Sequence, residues 1–187
     1  MHDHCRVFCG YVEGLIYEVP IWVYVIALTI IIIGSIIAFT KRGRNEGLRI
    51  SACLFLLLYV IVLFCSTVFF RATKTTRHYP FDFLWHYKTI GQGMVLYFPE
   101  IIMNIVVFIP IGFVIGLIFR KTSGWQTILA GMSISVSVEL FQWFFRKGFA
   151  DVDDVIHNTL GCLIGFAVWR CWSKLMGVIS CQDDKMN

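Results

Sequence analysis

The chain has 187 residues, is 58% hydrophobic and only 15% charged, and carries a formal net charge of +4. A mean hydropathy of +0.74 sets it apart from soluble domains, where about 25% of residues are charged. The length suits one domain. The excess positive charge sits beside apolar blocks, which points to lipid headgroups and not to nucleic acid.

Five apolar blocks approach the roughly 20 residues that cross a bilayer as a helix: 20–39, 50–70, 99–119, 126–145 and 154–172. None shows the alternation of a membrane barrel strand. The predicted fold is therefore all-α, a polytopic membrane bundle of about five transmembrane helices. No basic region precedes the first block and no small-residue cleavage site follows it, so it reads as a retained span. Lys41, Arg42, Arg44 and Arg49 come next. Basic residues concentrated in a short connection mark a cytoplasmic loop, which favours an outside N-terminus and an inside C-terminus. The predicted units are 1–75 (tail and two spans), 76–172 (three spans behind an aromatic segment) and 173–187 (a polar tail).

Cys53, Cys65, Cys162 and Cys171 fall within spans or near a span end, where cysteine acts as a small hydrophobe. Residues 78–93, HYPFDFLWHYKTIGQG, alternate aromatic and polar side chains, as interfacial segments do.

The third block carries Glu100 and Asn104 four residues apart, then Pro110. Asn is a hydrogen-bonding group between membrane helices, and Pro kinks a span where neighbours satisfy the freed carbonyl. Gly112 with Gly116, and Gly161 with Gly165, are small-residue pairs that let helices approach closely. In the fourth block Glu139, Gln142 and Arg146 share a helical face. Glu139 lies well inside the span, where a charge costs roughly 2.5–3.5 kcal/mol near the bilayer centre. It is either a structural carboxylate, paired with Arg146 or hydrogen-bonded across helices, or a ligand-binding or catalytic one.

The run Ala150 to Val155 places Asp151, Asp153 and Asp154 at the start of the fifth block. It lacks the glycine and terminal glutamate of an EF-hand, and no other metal-site spacing is present, so no metal or cofactor is expected. Asp153 reads as a helix cap. Asp154 and Asn158, one turn apart, project into the span. With an outside N-terminus, the start of block three, the end of block four and the start of block five share one membrane level. Asn104, Glu139, Gln142, Arg146, Asp151, Asp154 and Asn158 would then line an outward-facing polar pocket.

NIVVFIPIGFVIG (104–116), SVSVELFQWFF (135–145) and FADVDDVIHNTLGCLIGF (149–166) together resemble the VanZ family of bacterial membrane proteins. The resemblance extends over about half the chain, residues 78–170. It implies that Asn104, Pro110, Gly112, Glu139, Gln142, Asp151, Asp153, Asp154, Asn158 and Gly161 occupy the family's motif positions. The family's turn has an arginine where this chain has Gly148, which leaves Arg146 or Lys147 to supply the cation. The implied role is an association with resistance to teicoplanin, or a wider role in envelope physiology, at the cell membrane. The expected partners are membrane lipids and a lipid-linked cell-wall precursor or the lipoglycopeptide itself. Two classes of function follow: a binding protein, which is favoured, and an intramembrane enzyme with Glu139 and Asp154 as acid and base. Both a monomer and an oligomer are compatible with the sequence.

Overall fold

A computed structural model describes residues 19–42, 44–71, 98–147 and 151–186, with side chains described to residue 176. All regular structure among them is helical: α1 (Ile21–Arg42), α2 (Arg44–Phe64), α3 (Phe98–Ile118), α4 (Gly124–Phe145) and α5 (Val152–Met186). The aromatic segment 78–93 and Gly148 lie outside the described residues.

Helices α1 to α4 are long and apolar enough to cross a membrane. Much of α1 is β-branched, a composition that in water suits strands. In lipid every backbone polar group needs an internal partner, so the same residues form helices. Helix α5, predicted as a fifth span, is not among the four: Asp153, Asp154, His157 and Asn158 occupy its first two turns, and Arg170 and Lys174 follow further on. It is nevertheless the helix packed most extensively against α3 and α4.

Two boundaries differ from the predicted ones. Helix α2 begins at Arg44, so most of the expected loop 41–49 is helical, with Arg42 and Glu46 in a 3.9 Å ion pair across the junction. Helix α5 continues to Met186, through the predicted tail. Hydropathy marks where a chain leaves lipid, whereas a helix ends where its hydrogen bonds end.

Local chemistry explains the ends. At the end of α2 the chain widens into one π-helical turn, Cys65–Phe69. Ser66 Oγ and Thr67 Oγ1 both donate to the Leu63 carbonyl, at 2.9 and 2.7 Å. Occupying a backbone acceptor with hydroxyls favours such insertions. Helix α4 starts with a reciprocal cap: the Gln126 N–H donates to Ser123 Oγ (3.3 Å) and the Ser123 N–H to Gln126 Oε1 (3.0 Å). It ends in a Schellman turn. The Lys147 N–H donates to the Gln142 carbonyl (2.8 Å) and the Arg146 N–H to that of Trp143 (3.3 Å). Arg146 takes the left-handed position, φ 57°, where glycine is usual.

The core lies between α3 and α5. A Cβ at Gly112 would overlap the Cys162 carbonyl, one at Gly161 the Ile105 carbonyl, one at Gly165 the Ile109 carbonyl, and one at Gly116 the Trp169 ring. Position numbers rise together along both helices, so α3 and α5 run parallel, with backbones in contact. Helix α4 runs antiparallel to them, and Gly131 meets the Cys162 side chain. Helix α2 covers the other side of α3 through Leu63, Phe108 and Ile111. Tyr59 donates its hydroxyl to the Val107 carbonyl at 2.8 Å, on the turn that Pro110 loosens by withholding its bond to Val106.

Candidate functional site

This topology brings the end of α2, the start of α3, the end of α4 and the start of α5 to one end of the bundle. Their polar side chains form a single cluster. Glu139 is buried at 6% exposure, and its Oε2 accepts the backbone N–H of Asp151 at 3.0 Å. Asp151 Oδ1 in turn accepts the N–H of Asp153 at 2.8 Å. The capping carboxylate of α5 is therefore Asp151 and not Asp153, because Val152 is already the first helical residue and the residue before it holds the cap geometry. Asp153 is buried one step further in, at 1% exposure.

A buried carboxylate needs compensation. Glu139 has the N-terminal end of α5, where exposed N–H groups and the macrodipole favour negative charge. Among the described residues a weaker attraction comes from Arg71, just beyond the π turn. Sequence reading assigned that cation to Arg146 or Lys147. Arg146 is instead exposed, with its backbone committed to the Schellman turn. Asp154 and Asp151 act on Glu139 with the opposite sign, and Asp153 and Glu100 lie at the same end of the bundle.

The remaining contacts tie helices together. Asn104 Nδ2 on α3 donates to Asp154 Oδ1 on α5 at 2.5 Å. Asn158 Nδ2 donates to Ser135 Oγ on α4 at 2.8 Å. Gln142 Nε2 donates to the Thr67 carbonyl at 3.3 Å, fastening α4 to the π turn. The Asn158 Oδ1 atom is buried and has no hydrogen-bond partner among the described residues. The amide nitrogen thus bonds Ser135 while the carbonyl oxygen beside it is unmatched. Carboxylate and carbonyl acceptors predominate among these groups, so the arrangement suits a ligand that carries N–H and O–H donors. Among the described residues no cluster of His, Cys, Asp and Glu has the arrangement of a metal site.

Of the residues predicted from sequence, Asn104, Glu139, Gln142, Asp151, Asp154 and Asn158 come together here, and Arg146 stands at the rim. Sequence reading missed Arg71, Thr67, Ser135 and His157. Ser135 was reachable, since it sits one turn before Glu139 on the same face. Arg71 was visible only as one basic residue beyond a span, and helix packing chooses among those. His157, at 1% exposure, lies next to Asn158 in a helix whose polar turn is buried on several sides.

The profile of the VanZ/LLP1 family matches residues 50–174. The chain belongs to the VanZ/LLP1 family. The matched stretch takes in α3, α4 and most of α2 and α5, and so contains the whole cluster; α1 lies outside it. Over 79 residues the chain is 30% identical to Protein VanZ of Enterococcus faecium, which is 42% of this chain and 49% of that protein. The chain thus spans about half the length of the curated relative it matches. No solved structure matches. Membership in VanZ/LLP1 and the four apolar helices make this a membrane protein.

Proposed function

We propose that this VanZ-like chain is a multi-pass protein of the bacterial cell membrane, N-terminus outside and C-terminus inside. In this reading the cluster around Glu139 faces the outer leaflet. It binds a donor-rich headgroup, either a lipid-linked cell-wall precursor or the lipoglycopeptide teicoplanin, and so lowers engagement of the drug at the membrane. The observation that carries the reading is the buried side-chain carbonyl oxygen of Asn158, one helical turn from Asp154; that oxygen has no hydrogen-bond partner among the described residues. An unspent buried acceptor costs about 1–3 kcal/mol, a cost that a ligand hydroxyl or amine would remove. Basic residues flanking α1 and α2 support the orientation.

The test is inhibition of a susceptible Gram-positive host by teicoplanin and by vancomycin, with the wild type, Glu139→Gln and Asp154→Asn at matched membrane levels. Wild type is expected to protect severalfold more against teicoplanin than against vancomycin, and both variants to lose that protection. Wild-type cells as sensitive as the empty host would remove the drug from the proposal.

A second reading, an intramembrane enzyme acting on a lipid-linked envelope substrate, draws on the mutual influence of Glu139 and Asp154. Paired carboxylates can divide acid and base roles. Here each has a structural engagement, Glu139 with the start of α5 and Asp154 with Asn104, which favours binding over catalysis. Glu139→Asp and Asp154→Glu separate the two readings: catalysis would be lost in both, whereas a binding site keeps part of its protection.

A further inference from the structure

The opposite end of the bundle holds a groove of about 980 Å3. Helices α2 and α4 meet near the π turn, where the rings of Phe64 and Phe141 pack edge to face, 5.7 Å apart. Away from that end they share no substantial packing, and a wedge opens between them over α3. Its walls are apolar: Leu56 on α2, Ile115 and Ile118 on α3, and Ala130 and Ile134 on α4. Its mouth carries Arg49, Arg120 and Lys121, all exposed. The acid at that mouth, Glu46, already faces Arg42 at 3.9 Å, so the rim is cationic on balance. Helical rise from Arg49 to Leu56, and from Gln126 to Ile134, makes the slot about 10–12 Å deep.

We propose that this groove holds an anionic phospholipid, with its phosphate among Arg49, Arg120 and Lys121 and an acyl chain along Leu56, Ile115 and Ile134. Two features select that occupant. Basic pockets between membrane helices on the cytoplasmic side suit phosphate-bearing headgroups, and the three cations line one groove from two separate elements, Arg49 from the second turn of α2 and Arg120 and Lys121 from the α3–α4 connection. A soluble anion would satisfy those cations but leave the apolar walls uncovered, whereas a lipid covers both. The site is a full bundle length from Glu139 and stands apart from whatever binds there.

The experiment is native mass spectrometry of the full chain in mild detergent, offered phosphatidylglycerol or phosphatidylcholine of identical acyl chains, with inorganic phosphate as a third arm. Wild type is expected to retain phosphatidylglycerol severalfold over phosphatidylcholine and to be indifferent to phosphate. Combined Arg49→Gln, Arg120→Gln and Lys121→Gln should abolish the preference while lipid is still held, since all three side chains are exposed and the fold does not rest on them. Ala130→Trp, which fills the slot, should reduce retention of both lipids. Lys174→Gln, an exposed cation outside the groove, should behave as wild type. Equal retention of the two lipids by wild type, or an undiminished preference in the triple variant, overturns the proposal. Competition by inorganic phosphate would reassign the rim to a soluble anion. Unchanged lipid retention in Ala130→Trp with an altered oligomeric state would assign the slot to a second copy. Should Ala130→Trp fail to fold, the triple variant decides.

Discussion

Helices α3 and α5 set glycines against each other's backbone carbonyls, whereas α1 buries only Ala38 and meets α2 at Gly34 and Gly47 with no carbonyl in the way. Both pairs contain glycine at the contact, yet the atoms opposite differ. At Gly112 and Gly161 they are carbonyl groups of the facing helix; at Gly34 the nearest is a terminal methyl of Leu54. A methyl can rotate away and a backbone carbonyl cannot. The family match begins at residue 50 and omits α1, so the matched part is the one that holds the glycine-to-carbonyl seam. The polar cluster sits on the rigid pair.

The contrast is sharpest at its two extremes. Gly112→Ala should cost about 1–3 kcal/mol or more, the usual penalty of overpacking a site that cannot yield, read as a lowered unfolding temperature in detergent. Asn104→Ala should come next, at about 1–3 kcal/mol, because Asp154 loses its amide donor; thermal unfolding together with Asp154→Asn in a double-mutant cycle isolates that coupling, and additive single effects would refute the contact. Arg146→Gly should have a modest effect of opposite sign. It relieves left-handed strain of about 1–2 kcal/mol against a chain-entropy loss of about 0.5–1 kcal/mol, so a slightly raised melting temperature is expected. If that variant also keeps teicoplanin protection while Arg71→Gln loses it, the cation of the cluster is Arg71. Gly34→Ala should be the smallest, within about 0.5 kcal/mol. A loss at Gly34 equal to that at Gly112 would erase the distinction between the two helix pairs.

Much of the bundle was legible because lipid imposes a simple rule: an apolar run of sufficient length becomes a helix. The cores of the first four spans follow it closely. That rule fell silent where polar residues carry the helix onward, as at Arg44–Arg49 and beyond Trp172, and where hydroxyls redirect the backbone, as at Ser66 and Thr67. The grouping of Asn104, Glu139, Gln142, Asp154 and Asn158 followed from counting spans and reading helical faces. Their individual partners did not. Whether Asp151 or Asp153 caps α5 turns on a single residue of register, and whether Arg71 or Arg146 comes within electrostatic reach of Glu139 turns on how α2 packs at its end. Those outcomes are decided by tertiary geometry between segments far apart in sequence.

The interlocked carbonyls of α3 and α5 also limit how this protein can move. Each glycine admits one ridge of the opposite helix, so a slide by one turn would drive Ile or Phe side chains into backbone. Piston-like displacement along that axis is blocked in both directions. Helix α4 meets that pair at Gly131 through the Cys162 side chain and not through a carbonyl, so it is held less rigidly than α3 and α5 hold each other.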